Sequence, residues 1–591
     1  MTTVNEFSIE VATVNGSGSQ TANNVLLRAI FQMGMPVSGK NFFPSNISGM
    51  PTWFQIRVSR KGYAARKPEI DLMVCLNPET AEQDLAKLPP GALCIYDEPL
   101  NLGGRRSDIT AFGVPFQALV AASCPEMKYQ RLVKNMVYVG VLVRLLGIEP
   151  EEAGRALGRL IKGKAEAMNR AAMDAGYQWA LANLPDQGKL LVQRLPVEQE
   201  RLLIDGNTAC ALGALFAGVT VVGWYPITPS TGVIESLTEY AHPYRTDPTT
   251  GASTIAILQM EDELASAGVV VGAGWAGARA MTATSGPGLS LMTEFIGLAY
   301  YAECPGVFVD VQRVGPSTGL PTRSSQSDIK LCAKASHGDT LHINLYPATM
   351  EECFRFTYDA FDLAERFQTP VFLVSDLDLG MQNWITSPFA YPEGKLDRGK
   401  VLDEAALKEV QAWGRYKDVD GDGIPYRTLP GTPGGKGAYL TRGSGHNAQA
   451  AYTENPAEFA EGILRLKRKI LGAAPHLPLP IQVDNGAKRG VLAFGSSDPA
   501  VQEAMDILRE AHQMPLNYMR VRALPFAEAV GDFLRSMEVV YVVEQNRDGQ
   551  MAALLMEFFP QEAPRLRSVL HFDSTPITAQ TIVDQILSQE M

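Results

Sequence analysis

The sequence predicts a multidomain α/β protein organised around a doubly wound parallel sheet, and three observations carry that prediction. The chain has 591 residues, 46 % of them hydrophobic, which is more than a single apolar core accommodates. Between residues 202 and 382, short apolar runs alternate with helical stretches rich in small residues, and each run stops at Pro, Gly, Ser or Thr. That is the rhythm of buried strands joined by helices. The same strand, loop and helix unit recurs near the C-terminus, in GVLAFGSSDPAVQEAMDILREA and VVYVVEQNRDGQMAALLMEFFP.

Composition narrows the function. With 64 acidic against 52 basic residues the formal net charge is -12, which argues against a protein that grips nucleic acid through phosphates. The opening MTTVNEFSIEVATVNG lacks the basic and apolar regions of a leader. No apolar run reaches the roughly 20 residues of a membrane span, so a cytoplasmic protein is expected. Cys75, Cys94, Cys124, Cys210, Cys304, Cys332 and Cys353 are scattered, with no two separated by only two residues. Their pattern fits a reduced compartment and lacks the spacing of an iron–sulfur or structural zinc site, so no metal site is expected in this chain.

Four passages follow one another. In residues 1–195, Ile9, Val11 and Val14 alternate and lead into NGSGSQTANNVLLRAIFQMG, which reads as strand, Gly-rich turn and helix. Gly16 and Gly18 suit a tight turn packed under a neighbouring subunit, and the turn lacks the full glycine pattern of a dinucleotide site. EIDLMVCLNPE and GALCIYDE read as buried strands. Lys40, Arg57, Arg60, Lys61, Arg66 and Lys67 collect around Trp53 and Phe54, as a solvated basic face or a dock for an anionic carrier or cofactor. A helical stretch from Glu151 to Ala182 then gives way to a Pro- and Gly-punctuated boundary.

Residues 202–382 carry the loops YPITPS, TSGPG and RVGPSTG at strand ends, where ligands sit in doubly wound folds. Residues 383–475 are rich in Gly and Pro and read as an extended connection. Within it Asp418, Asp420, Asp422 and Gly423 reproduce the opening of a calcium loop, but its twelfth position is Leu429 and Pro425 interrupts it, so a hydrated turn is expected. Residues 476–591 form a smaller α/β domain, with Glu544, Gln545, Asn546, Gly549 and Gln550 at a strand-to-helix corner suited to a subunit contact or ligand edge.

The strings YPITPSTG, QMEDELASAG, GARAMTATSGPG, RVGPSTGLPT and EQNRDGQ, in this order, resemble the alpha subunits of 2-oxoacid:ferredoxin oxidoreductases. Residues 1–195 resemble the gamma domain fused ahead of many of them, and the turn NGSGSQ is similar to the 2-oxoglutarate branch. The resemblance implies a gamma-type α/β domain, a thiamine-diphosphate pyrimidine-binding doubly wound domain and a transketolase-C-like α/β domain. It implies oxidative decarboxylation of 2-oxoglutarate with coenzyme A to succinyl-CoA and carbon dioxide, with ferredoxin reduced. Thiamine diphosphate would lie at the interface with a beta subunit that carries magnesium and an iron–sulfur cluster, in an assembly of two alpha and two beta chains. The same chemistry on pyruvate or another 2-oxoacid, and a non-catalytic scaffold, are the alternatives.

Residue roles follow from the motif match. Thiamine chemistry needs a shielded carboxyl group at the far pyrimidine nitrogen, and the match assigns this catalytic role to Glu263. Glu261 and Glu263 would point about 200° apart on a helix, so only one faces the cofactor. Read without the resemblance, Glu261, Asp262 and Glu263 are an acidic helix start. Thr228 matches the threonine near the substrate carbonyl and Arg313 the arginine that binds the substrate carboxylate, where a guanidinium fork fits best. Arg323 is the reserve candidate. Tyr225, Pro226, Ser285 and Gly286 are the expected cofactor contacts.

Overall fold

The computed structural model describes residues 2–45, 49–185 and 188–591, and the chain divides into two compact units. The first takes the residues up to Ile204 together with Gln382–Pro388 and Ile577–Ala579, and the second takes the remainder.

In the first unit the alternation read from Ile9 and Val11 becomes the central strand β1 (Glu6–Val14). It is followed by α1 (Ser19–Gln32), β2 (Val37–Phe42), β3 (Pro51–Ser59), β4 (Leu72–Cys75), β5 (Leu93–Asp97), β6 (Thr110–Val114), α2 (Met127–Leu145) and α3 (Lys164–Asn183). The sheet runs β2-β3-β1-β4-β5-β6, parallel from β1 to β6 and antiparallel on the β3 side. Gly16 and Gly18 adopt φ of 80° and 82°, and the Asn135 side chain from α2 donates to the Ser17 carbonyl at 2.7 Å. The Gly-rich turn is thus packed under a helix of its own unit.

The basic segment is not a uniformly solvated face. Lys40 on β2 and Arg57 on β3 are buried. The Lys40 ammonium lies 4.3 Å from the centre of the Trp384 ring, and Arg57 donates to the Ala65 carbonyl at 2.7 Å. Strand pleating turned these two inward, and an aromatic face and a backbone acceptor replace water around them. Trp384 is held there because Trp384–Thr386 pairs antiparallel with Leu202–Ile204, which places 382–388 in the first unit.

The second unit opens with α4 (Gly206–Phe216), capped by Asp205, whose side chain accepts from Thr208 N–H at 2.8 Å. Its main elements are β7 (Val221–Trp224), α5 (Thr231–Tyr244), β8 (Ala256–Gln259), α6 (Glu263–Trp275), β9 (Ala280–Thr284), α7 (Gly286–Ala302), β10 (Gly306–Gln312), α8 (Ile329–Ala333), β11 (Ile343–Leu345), α9 (Met350–Phe367) and β12 (Pro370–Asp376). Farther along come α10 (Pro456–Leu471), β13 (Ile481–Val483), β14 (Arg489–Ala493), β15 (Asn517–Arg520), β16 (Ala523–Leu524), β17 (Val539–Glu544), α11 (Gln550–Phe558) and β18 (Leu566–Leu570). The large sheet has the order β8-β7-β9-β10-β12-β11-β16 and the small one β13-β15-β14-β17-β18. Only β16 and β13 run antiparallel to their neighbours. Phe308 and Phe372 from the large sheet share one buried apolar cluster with Leu492, Met519 and Val542 from the small one. Hydrophobic burial therefore joins the two sheets into one body.

The Gly- and Pro-rich connection is tied down by buried charge. Glu303 accepts from Arg465 at 3.1 Å and from Lys469 at 2.8 Å, while Arg415 donates to the Glu303 carbonyl at 2.9 Å. Burial alone would push the Glu303 carboxyl up, but Arg465 and Lys469 overrule it and hold it down at about 2. Arg465 and Lys469 belong to α10, the helix near the end of this segment. At the acidic turn, the Lys400 ammonium pairs with Asp420 at 2.6 Å and Asp422 at 2.9 Å, and Arg468 pairs with Asp418 at 2.7 Å. These acids are matched by side-chain cations. No helix is long and apolar enough to cross a membrane among the described residues.

Candidate active site

Four adjacent strands of the large sheet, β8, β7, β9 and β10, are mutually parallel, so the segments that leave their carboxyl ends gather on one edge. The chain steps from β7 outward to β8 and then back across β7 to β9. That reversal is the topological switch point at which doubly wound sheets place their ligands. Each site residue expected from the sequence lies just beyond one of these four ends: Tyr225, Pro226 and Thr228 after β7, Glu263 after β8, Ser285 and Gly286 after β9, and Arg313 after β10.

Glu263 is the first residue of α6. Asp262 caps that helix by accepting from Ala265 N–H at 2.7 Å, so of the three consecutive acids Asp262 serves the backbone. Glu263 is 8 % exposed and Glu261 is exposed. Among the described residues the Glu263 carboxylate has no hydrogen-bond donor. Its neighbour is Gly288 in the first turn of α7, where a Cβ would lie 2.8 Å from Glu263 Cγ.

Arg313 is 7 % exposed and donates to the Thr228 carbonyl at 2.8 Å, which joins two of the expected substrate residues. It makes no ion pair among the described residues, and its Nε has no partner. Burial lowers the pKa of its guanidinium, with Asp328 and Glu263 acting in the opposite sense. A buried cation without a direct ion pair costs stability unless an anion comes to it. The loop behind it is a tight hairpin: Leu320 N–H donates to the Val314 carbonyl at 2.9 Å. Gly319, at φ 55°, leaves the space where a Cβ would meet Val314 O at 1.8 Å. Arg323 closes the same loop through its carbonyl, and its guanidinium donates to the Thr322 carbonyl at 2.9 Å.

Ser285 is fully buried, and its hydroxyl finds no partner among the described residues. Gly286 packs against an acid absent from the sequence reading, since a Cβ on Gly286 would lie 2.5 to 2.8 Å from the Asp328 carboxyl group. Tyr225 and Pro226 are exposed, and so are Leu258, Leu264, Leu291 and Leu320 in the neighbouring segments.

Asp328 ends the segment Ser324–Asp328, which is held from the small sheet. Gln326 N–H donates to the Gln545 carbonyl at 2.8 Å, the Gln326 side-chain carbonyl accepts from Gln545 N–H at 3.1 Å, and Asn546 donates to the Gln326 carbonyl at 2.9 Å. The corner at Glu544, Gln545 and Asn546 is therefore buried within this chain and braces the site from behind. Only a tertiary contact reveals this. In the sequence Asp328 reads as a polar residue opening a short helix, and the two glycines of TSGPG are the sole hint that something large abuts them.

The seven cysteines are buried, and no group of three side chains suited to holding a metal occurs among the described residues.

This is the arrangement of a doubly wound α/β enzyme with its site on the carboxyl edge of the sheet. Residues 212–388 match the family described as pyruvate flavodoxin/ferredoxin oxidoreductase, thiamine diphosphate-binding, and residues 8–179 match the family described as pyruvate ferredoxin/flavodoxin oxidoreductase. The chain is 29 % identical to 2-oxoacid:ferredoxin oxidoreductase 2, subunit alpha, of Aeropyrum pernix, over 93 % of this chain and 92 % of that protein. It is 47 % identical to 2-oxoglutarate synthase subunit KorA of Methanothermobacter thermautotrophicus, over 60 % of this chain and 89 % of that subunit. A solved 2-oxoglutarate:ferredoxin oxidoreductase from Magnetococcus marinus, with 2-oxoglutarate, coenzyme A and succinyl-CoA bound, superposes with a TM-score of 0.85 at 29 % identity, covering 99 % of this chain and 100 % of that one. The chain belongs to the family of 2-oxoacid:ferredoxin oxidoreductase alpha subunits.

Proposed function

We propose that this alpha subunit serves a 2-oxoglutarate:ferredoxin oxidoreductase, which converts 2-oxoglutarate and coenzyme A to succinyl-CoA and carbon dioxide with reduction of ferredoxin. The observation that carries the reading is Arg313, a buried guanidinium without an ion-pair partner among the described residues, bonded to Thr228 and close to Glu263. A 2-oxoacid carboxylate supplies the missing charge, and the guanidinium fork meets both its oxygens. The 2-oxoglutarate synthase subunits among the relatives and the ligands of the Magnetococcus marinus enzyme support 2-oxoglutarate as the acid.

Thiamine diphosphate fits the site: Glu263 is a shielded carboxylate lacking a donor among the described residues, and Gly288 in the first turn of α7 leaves the room in which that carboxylate sits. When bound, the cofactor supplies the electron sink for decarboxylation. Glu263 holds a proton at the pyrimidine nitrogen, Ser285 and Gly286 line the ring, and Tyr225 and Pro226 close the loop beside it. Thr228 donates its hydroxyl to the 2-oxo carbonyl while Arg313 fixes the carboxylate, so the chain's own contribution is orientation and placed charge.

A beta subunit completes the site. The exposed apolar side chains Tyr225, Leu258, Leu264, Leu291 and Leu320 flank the site segments and suit burial against another chain. The beta subunit carries magnesium, the diphosphate site and an iron–sulfur cluster, and passes electrons to ferredoxin in a complex of two alpha and two beta chains. The test of the anchor is Arg313→Gln in the assembled complex. A rise in KM for the 2-oxoacid of about 30- to 100-fold is expected for loss of a buried charge-assisted pair, and an unchanged KM contradicts the assignment.

A further inference from the structure

We propose that Asp328 is a positioning residue for Arg313: buried and pinned to the strand end from which Arg313 departs, it sets by its own charge how strongly Arg313 holds the carboxylate of the 2-oxoacid. This rests on the reading of Arg313 as the substrate anchor.

The geometry begins at Gln312, the residue before Arg313. Its side-chain carbonyl accepts from Asp328 N–H at 2.9 Å, and its amide donates to the Ser375 carbonyl at 3.0 Å. Asp328 is thereby pinned to the end of β10 from which Arg313 departs. The clamp of Gln545 and Asn546 on Gln326 holds the segment from the other side, and Gly286 leaves room for the carboxyl group. Among the described residues Asp328 Oδ2 has no hydrogen-bond partner, and neither has Asp310 Oδ1; the other oxygen of Asp310 accepts from the Cys332 thiol at 3.5 Å. Neither acid makes an ion pair among the described residues.

Two interacting buried carboxyl groups without a salt bridge cannot both ionise at neutral pH. Burial pushes Asp328 up to about 7, with Arg313 pulling it back. Burial and then the charge of Asp328 push Asp310 well above the usual carboxylate range too, so the two acids titrate as a pair. Arg313 and Asp310 face Asp328 from β10 and the loop after it, Cys332 faces it from α8, and Glu263 acts through Arg313. The Cys332 thiol is raised by burial and the Tyr346 phenol beyond it likewise, so both stay neutral. Lys330, nearby in the chain, faces Glu544 and Asp548.

The sign follows. Below about pH 7, neutral Asp328 leaves the positive field of Arg313 to the substrate carboxylate. Above it, the Asp328 carboxylate competes for the same cation and substrate binding weakens. By linkage, a substrate anion at Arg313 drives proton uptake by Asp328.

The test is the KM for 2-oxoglutarate of the assembled complex between about pH 6 and 8.5, across the Asp328 transition. The wild-type KM is expected to rise about three- to tenfold, while Asp328→Asn holds it flat at the low-pH value. An Asn variant that keeps the wild-type profile overturns the proposal. A second measurement needs no variant: calorimetric titration of the wild-type holoenzyme complex with oxalylglycine at about pH 7.5 in two buffers of different ionisation enthalpy. Net proton uptake is expected, and binding without it overturns the proposal. Arg313→Gln separates the two readings. If its KM stays at the wild-type value at every pH, the substrate anchor fails; if its KM is raised throughout and only the Asp328→Asn profile matches wild type, the anchor stands and the role of Asp328 fails.

Discussion

The Glu263 carboxyl group occupies the space that a side chain at residue 288 would need: a Cβ on Gly288 would fall 2.8 Å from Glu263 Cγ and 3.1 Å from Oε1. It would also fall 2.1 Å from Thr284 Oγ1, so Gly288→Ala cannot be accommodated without moving the acid. A displaced catalytic group of this kind lowers turnover by about 100-fold. Gly272→Ala, on the same helix as Glu263 but with open space around it, is expected to leave kcat near wild type. Steady-state kinetics of the two complexes, with thiamine diphosphate affinity measured alongside, checks the pair.

Glu263→Gln keeps the shape of the side chain and removes its acid–base capacity. Turnover is expected to fall by at least about 100-fold while the complex still assembles by size-exclusion chromatography. Full activity in the Gln variant contradicts the catalytic assignment.

Acid stability is expected to depend on Glu303. Its carboxyl sits at about 2 in the fold against an ordinary 4.5, so its stabilisation is complete above the ordinary value and drains away as pH falls through the folded one. Glu303→Gln leaves Arg465 and Lys469 buried without their counter-charge and is expected to cost about 3–5 kcal/mol. In thermal melts against pH, the variant should start lower and lose less than wild type between pH 4.5 and about 2. Parallel curves would show that the charge of Glu303 contributes nothing to the fold.

The acidic turn at Asp418, Asp420 and Asp422 already has Lys400 and Arg468 as counter-charges. Millimolar calcium is therefore expected to shift the melting temperature by no more than about 1 °C. A rise of several degrees, reversed by chelator, would establish a calcium site there.

Much of this site was legible because its residues lie at strand ends. The loops YPITPS, TSGPG and RVGPSTG interrupt apolar runs at turn residues, and the strands that precede them turned out parallel and adjacent. Among the three consecutive acids only the motif match singles out Glu263, and the structure adds that Asp262 is the helix cap. Asp328 was hidden because its setting is tertiary: its partner Asp310 sits on an earlier strand, and the clamp on its loop comes from Gln545, more than two hundred residues later. Lys40 and Arg57 misled for a related reason, because the aromatic ring and the carbonyl that let them be buried come from Trp384 and Ala65. The connection reads only as Gly- and Pro-rich, because the Arg465 guanidinium and Lys469 ammonium that tie it down are buried against Glu303, a residue of another element.

The most direct test is coenzyme-A-dependent reduction of ferredoxin by the native complex, purified through this chain and kept free of oxygen, with 2-oxoglutarate, pyruvate, branched-chain and aryl 2-oxoacids compared by kcat/KM. Clear preference for 2-oxoglutarate, with succinyl-CoA as product, is the expected result. Preference for another acid would contradict the substrate assignment, and no reduction with any acid in the presence of a cluster-bearing partner would contradict the catalytic role itself.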